Sequence, residues 1–241
     1  MGPIELVVFD LAGTTVDDGT GTVLQALVEA VREHDLPGTR DELNALMGMN
    51  KREVFGILSA RRAGDPWHDV AAESAAVSRA SEAALETFLG RMRAAYERHL
   101  APIPGAEETF AFLRARGVKI ATDTGFDRTI NAIIMERLDW PGRLIDLSVC
   151  SSDVPRGRPA PYMIHRAMQQ LDVLDVRRVM KVGDSPADLD EGSNAGCGEV
   201  IGVLSGAHTA ATLGAVRHTR LLGSVVDLPV LWDDDACTFR T

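Results

Sequence analysis

Five short, mainly apolar runs, separated from one another by helix-patterned sequence, constrain this chain more than anything else in it. Ile4 to Phe9 runs into Asp10. Val118 to Thr122 follows the helical stretch EETFAFLRARG, whose Gly117 reads as a helix stop. Leu144 to Cys150 is a third run, Val179 to Val182 a fourth that leads into GDSPAD, and Val200 to Leu204 a fifth that leads into SGA. Short, mainly apolar runs of this kind read as buried strands. Strands separated by helices give βαβ units and a doubly wound, mostly parallel sheet of Rossmann-like α/β type. In such sheets ligands bind at the carboxyl ends of the strands, where Asp10, Thr124, Arg158 and Asp184 all fall.

The interval from about residue 20 to 100 breaks the alternation. VLQALVEAVREH, RDELNALMG, REVFGILSARR and ASEAALETFLGRMRAAYERHL carry helical spacing with no strand between them. The expected organisation is a core of residues 1–18 and 102–241, with residues 19–101 inserted after the first strand as a helical domain. PIPGA at 102–106 marks the return to the core. VVDLPVLWDDD reads as a last helix or strand turn with a tail.

Bulk properties exclude several classes. The chain has 241 residues and a formal net charge of -10 with no basic tract, so a nucleic-acid backbone is not an expected partner. No apolar run approaches the length of a membrane span. MGPIELVVFD has no basic flank and reads as a strand, not a signal peptide. Cys150, Cys197 and Cys237 are odd in number and widely spaced, which fits neither a zinc site nor a disulfide framework and points to a reducing cytoplasm. The six histidines show no ligand spacing, and Trp67-His68 reads as a loop packing on the inserted helices.

Four segments carry chemistry together. Asp10 ends the first strand in DLAGTT, where Gly13 lets the backbone turn and nearby N–H groups can bind phosphate oxygens. Thr124-Gly125 follows the second strand, and a hydroxyl there suits a phosphate oxygen. Arg158 in DVPRGRPAPYM supplies a cation able to neutralise a phosphoryl group and orient Asp10. Asp184 and Asp188 in GDSPAD put two carboxylates four residues apart at a strand end, a pattern suited to a hard cation such as magnesium. Singly, each of these is an ordinary cap, turn or surface residue. In this order, each at a strand end, they form a specific conjunction.

That conjunction resembles the haloacid dehalogenase superfamily over nearly the whole chain. The resemblance implies an aspartyl-phosphate on Asp10, with Thr124 and Arg158 on the phosphoryl oxygens. It implies magnesium held by Asp10, the Ala12 carbonyl and Asp184 with support from Asp188, and a helical C1 cap that closes over the site. One departure is informative. Most phosphatases of the superfamily carry a second Asp two positions after the nucleophile as acid and base, and here that position is Ala12. A missing positioned acid typically costs about 10²–10⁴-fold in ester hydrolysis.

DLAGTTVDDG, MGMNK and DVPRGRPAPYM with KVGDSPADLDEG are similar to the phosphonatase branch of the superfamily. That branch has Ala at the same place and a cap lysine after a Met-Gly pair, which Lys51 matches. The resemblance implies a Schiff base between Lys51 and a substrate aldehyde. An iminium accepts the electrons of a broken carbon–phosphorus bond as an enamine, which makes the acid missing at Ala12 unnecessary. The amine must be neutral, and burial beside other cations lowers a lysine pKa. The substrate-binding surface is then expected from Ala12, Gly13 and Thr14 beside Asp10, from Met47 and Gly48 in the cap, and from Gly125 and Phe126.

Other positions depart from that branch. Val54 stands where it has a His, Thr20 where it has a Cys, and Phe126 where it has an aromatic hydroxyl. The expected reaction is cleavage of phosphonoacetaldehyde or a related small phosphonate. The alternatives are a phosphatase for a small ester of phosphoglycolate or sugar phosphate type, and a non-catalytic binding protein of the same fold. Relatives of the branch can form a homodimer through the cap.

Overall fold

The computed structural model describes residues 4–19, 21–64 and 75–233. Six parallel strands form its sheet: β1 Leu6–Asp10, β2 Lys119–Thr124, β3 Leu147–Cys150, β4 Val179–Gly183, β5 Glu199–Val203 and β6 Arg220–Leu222, in the order β3-β2-β1-β4-β5-β6. The five apolar runs of the sequence are the first five of these strands, within a few residues. β3 starts later than its run because Leu144 and Ile145 turn back with their N–H groups on the Trp140 carbonyl. β6 has three residues, none buried, and carries no apolar run to announce it.

Alternation along β1 assigns its two faces. Leu6 and Val8 pack with α7 (Tyr162–Gln170) through Met163, Ile164 and Ala167. Val7 and Phe9 join the larger cluster on the opposite face, which holds Phe110 and Leu113 of α5 (Ala106–Arg114) and Ile130 and Ile134 of α6 (Arg128–Leu138). Phe9, Phe110 and Trp140 form an edge-on chain with centroids 5.1 and 5.2 Å apart. Each such fully buried side chain stabilises the fold by about 1.5–3 kcal/mol.

Between β1 and α5 the chain forms α1 (Thr22–Glu33), α2 (Arg40–Asn44), α3 (Lys51–Arg62) and α4 (Ala75–Arg98), with no strand among the described residues. Val23, Leu27 and Val31 of α1, Phe55 and Leu58 of α3, and Ala84, Phe88 and Met92 of α4 bury the inward faces of these helices. The chain leaves and re-enters the sheet layer at adjacent points. Asp17 N–H donates to Ala101 O at 2.9 Å, and Ile103 N–H to Thr15 O at 2.9 Å. Among the described residues no helix is long and apolar enough to cross a membrane. Thr20, Trp67, His68 and Cys237 lie outside the described residues.

Candidate active site

The direction of successive connections reverses between β1 and β4, and the residues at the carboxyl ends of these strands and of β2 converge there. Asp10 ends β1 and faces Asp123 across the pairing with β2. Asp184 follows β4 directly. α8 (Pro186–Ala195) then begins with a capping box: Ser185 Oγ accepts from Asp188 N–H at 3.3 Å, and the Asp188 carboxylate accepts from Ser185 N–H at 3.2 Å. The cap locks Asp188 against the strand ends.

Arg158 has no exposed surface and organises the cluster. Its Nη1 donates to Asp10 Oδ1 at 2.7 Å and to the Gly48 carbonyl at 3.4 Å, and lies 3.0 Å from Asp188 Oδ1. Its Nη2 donates to both the backbone carbonyl and the carboxylate of Asp123, and its Nε to Glu191 Oε2 at 3.1 Å. A second cation lies beneath it. Lys181, in the middle of β4, contacts Asp123 and reaches Asp188 Oδ1 at 3.2 Å and Glu191 Oε2 at 3.0 Å.

Electrostatics divide these acids. Burial acts to raise Asp123, but Arg158 and Lys181 outweigh it and hold the carboxyl below its ordinary range. Burial, helped by Asp123, pushes Glu191 up to about 8. Burial, then the charge of Asp188, raises Asp10 well above an ordinary aspartate, with Arg158 opposing. Asp184 is pushed up to about 7 by burial and then by Asp188. Its two oxygens accept from Thr14 Oγ1 at 3.1 Å and from Ala207 N–H at 2.8 Å. Carboxylate oxygens of Asp10, Asp184 and Asp188 lie within 4.8 Å of one another. Five buried acids, Asp10, Asp123, Asp184, Asp188 and Glu191, outnumber the three buried cations Arg158, Lys181 and Lys51, and oxygen donors of this kind fit a hard divalent cation. The acidic cluster can therefore hold a metal.

The helical insertion supplies the other wall. Asn50 caps α3, its side chain accepting from Arg52 N–H at 2.9 Å, so Lys51 is the first helical residue. Lys51 is 5% exposed and lines a cavity of about 30 Å³ together with Asp10, Ala12, Met47, Gly48, Thr124, Gly125, Phe126, Arg158 and Asp184. It is thus not the surface lysine that a position at the start of a polar helix suggests. Burial, then the charge of Arg158, brings its pKa down to about 8. Its ammonium nitrogen donates to Met49 O at 3.1 Å. Thr124 Oγ1 accepts from Phe126 N–H at 3.2 Å, which aligns the loop after β2. Gly13, with φ 91°, and Thr14 stand against Asp184.

The two walls interlock. A Cβ on Gly125 would meet the carbonyl oxygens of Gly48 and Met49 at 2.6 Å, and a Cβ on Gly48, whose φ is 81°, would strike Ser185 Oγ. Gly157 N–H donates to Glu53 Oε1 at 3.1 Å, and His208 Nε2 lies 3.1 Å from Asn44 O.

All thirteen residues singled out in the sequence thus lie in or against one site. Sequence reasoning missed Asp123, Lys181 and Glu191, which complete the cluster. The signals were a lysine in the middle of a run otherwise apolar, and a glutamate three residues beyond Asp188 on the same helix face. Asp18 was also passed over. Burial pushes its pKa up to about 6, and its carboxylate accepts from Val23 N–H at 3.0 Å. Val54 is a fully buried core residue, so no ring nitrogen follows Lys51 on its helix.

Comparison with known proteins bears on this arrangement. A family model described as haloacid dehalogenase-like hydrolase matches residues 4–196. A phosphonoacetaldehyde hydrolase of Hahella chejuensis (strain KCTC 2396) is 35% identical over 200 residues, which make up 81% of this chain and 66% of that protein. One from Bacillus cereus is 34% identical over 204 residues, 84% of this chain and 76% of that protein. Among solved structures, a phosphonoacetaldehyde hydrolase-like protein from Oleispira antarctica has a TM-score of 0.77 at 24% identity, covering 96% of this chain and 92% of that one. That last likeness is one of fold.

Proposed function

The chain belongs to the haloacid dehalogenase-like hydrolases, in their phosphonatase-like branch, and from that premise we propose that it cleaves the carbon–phosphorus bond of phosphonoacetaldehyde or a closely related small phosphonate. The observation that carries this reading is the placement of Lys51, buried and with its pKa brought down to about 8, in the cavity wall that also holds Asp10 and Ala12.

In this reading the neutral Lys51 amine adds to the aldehyde carbon and water leaves, giving a protonated imine. An Asp10 oxygen attacks phosphorus while Arg158 and Thr124 hold the phosphoryl oxygens. The carbon–phosphorus bond breaks, and its electron pair moves into the iminium to give an enamine on Lys51 and an aspartyl-phosphate on Asp10. The enamine takes a proton on carbon, and water releases acetaldehyde from Lys51 and phosphate from Asp10. The balance is phosphonate plus water to aldehyde plus phosphate. Magnesium, held by Asp10, Asp184 and the Ala12 carbonyl with Asp188 behind, would neutralise charge on the phosphoryl group. Asp123, Lys181 and Glu191 keep Arg158 aimed at Asp10.

The reading includes a division of the chain. Residues 1–18 and 102–241 form the core and residues 19–101 the cap. The cavity has room for a water or two, so the cap opens to admit substrate and closes to exclude water. The test is release of phosphate and acetaldehyde from phosphonoacetaldehyde with magnesium, set against a panel of phosphate esters. Faster release from an ester would move the assignment to a phosphatase, and release from neither would leave a binding protein.

A further inference from the structure

Tyr96 lies in the last turn of α4 with its side chain 2% exposed. Its hydroxyl is buried and has no hydrogen-bond partner among the described residues. A buried phenol without an acceptor costs free energy that a phenylalanine ring of the same shape would avoid. Packing therefore explains the ring and leaves the hydroxyl unexplained. The ring meets Phe126 edge-on with centroids 6.0 Å apart, and Phe126 forms part of the cavity wall beside Lys51 and Asp10. Tyr96 thus packs directly behind the Phe126 wall of that cavity. Phe126 brings no hydroxyl to this end of the site, and Val54 brings no ring nitrogen.

We propose that the Tyr96 hydroxyl is a catalytic hydrogen-bond donor to the carbonyl oxygen of the substrate as Lys51 adds to the carbonyl carbon. The proposal rests on the phosphonatase reading of the site. Addition of an amine draws negative charge onto that oxygen, where a fixed donor in a dry cavity is most effective. The donor keeps its own proton. The proton lost by the amine passes to the former carbonyl oxygen, giving a neutral carbinolamine from which water departs. Burial, with Asp18 and Asp10, holds the phenol well above its ordinary pKa, so it remains a donor across the neutral range. The carbonyl end of the substrate is thereby recognised from the cap, by a residue on a different element from Lys51.

The test compares wild type with Tyr96→Phe, both loaded with magnesium, binding 2-oxopropylphosphonate and propylphosphonate by titration calorimetry. Wild type should favour the oxo compound. The variant should lose about tenfold on the oxo compound and nothing on the alkyl one, since one hydrogen bond to the carbonyl is removed. Its melting temperature should be unchanged or higher, because the hydroxyl has no partner to lose among the described residues. A wild type without preference for the oxo compound, an equal change on both ligands, or a lower melting temperature for the variant would each overturn the proposal. Failure of the phosphonatase reading itself shows separately, as no phosphate released from phosphonoacetaldehyde by wild type.

Discussion

Arg158 Nη1 donates to Asp10 Oδ1 at 2.7 Å while Nε of the same guanidinium donates to Glu191 Oε2 at 3.1 Å. One planar side chain with no exposed surface thus ties the proposed nucleophile to the acids beneath it. A lysine presents one compact charge and cannot serve both ends. Arg158→Lys should lower kcat/KM at least about 100-fold, the scale of losing one fixed donor in a closed site. Breaking a buried pair costs about 3–5 kcal/mol, so the melting temperature should fall by roughly 10 °C. Calorimetry and steady-state rates check both.

Ala12 lines the cavity beside Asp10. Ala12→Asp places an acid where ester hydrolysis needs one. Turnover of a small phosphate ester should rise by about 10²-fold while phosphonate cleavage falls, because the iminium already takes the electrons. Phosphate release from both substrates measures the crossover. A variant that improves neither would show that the leaving-group argument is misplaced.

Gly125 lies where the proposed cap meets the core backbone to backbone, since a Cβ would meet the Gly48 and Met49 carbonyls at 2.6 Å. Backbone atoms cannot swing aside as a flexible side chain can. Gly125→Ala should therefore prop the cap open, with activity down about 100-fold or more, in line with what small misplacements cost a positioned site. The melting temperature should change little, because the clash lies between the two walls and not inside either core. Limited proteolysis should find the inserted helices more accessible than in wild type.

How much of this was legible in the sequence follows from where each signal is stored. β1 and β4 are buried on both faces, so their identity is written as short apolar runs, interrupted only by Lys181 in β4, and Asp10 and Asp184 stand out at their ends. β6 is three residues with no buried side chain and left no trace. Lys181 sits inside a fully buried strand, where a lone lysine looks like a side chain reaching for solvent. Its real partners, Asp123 and Glu191, are 58 residues earlier and ten residues later in the chain, beyond the reach of local pattern. Tyr96 looked like one more apolar residue of an amphipathic helix. Its orphaned hydroxyl exists only once α4 has packed against Phe126.

The neutral fraction of Lys51 sets a pH dependence. With a pKa of about 8, roughly a tenth of the amine is neutral at pH 7, far more than for an ordinary lysine near 10.4. Imine formation should rise about tenfold per pH unit below 8 and level off above it. The rate of borohydride inactivation at saturating phosphonoacetaldehyde, measured from pH 6 to 10, reports this. A rate still climbing at pH 10 would mean that Lys51 is not held neutral by its surroundings.

The excess of buried carboxylate over buried cation predicts a metal-dependent stability. Magnesium should raise the melting temperature by several degrees, in proportion to the logarithm of its concentration above Kd. Asp184→Asn should abolish that rise. A chelator should stop turnover, and added magnesium should restore it.

The central claim is that Lys51 and Asp10 act on the same substrate molecule. Its most direct measurement is mass spectrometry of the protein after borohydride treatment with phosphonoacetaldehyde and magnesium. The account predicts an N-ethyl group on Lys51 in wild type, the reduced remnant of the two-carbon product left after phosphorus has gone. In Asp10→Asn the account predicts a phosphonoethyl group on the same lysine, because the imine forms and the carbon–phosphorus bond survives. An unmodified Lys51 in a wild-type protein that is releasing phosphate would contradict it.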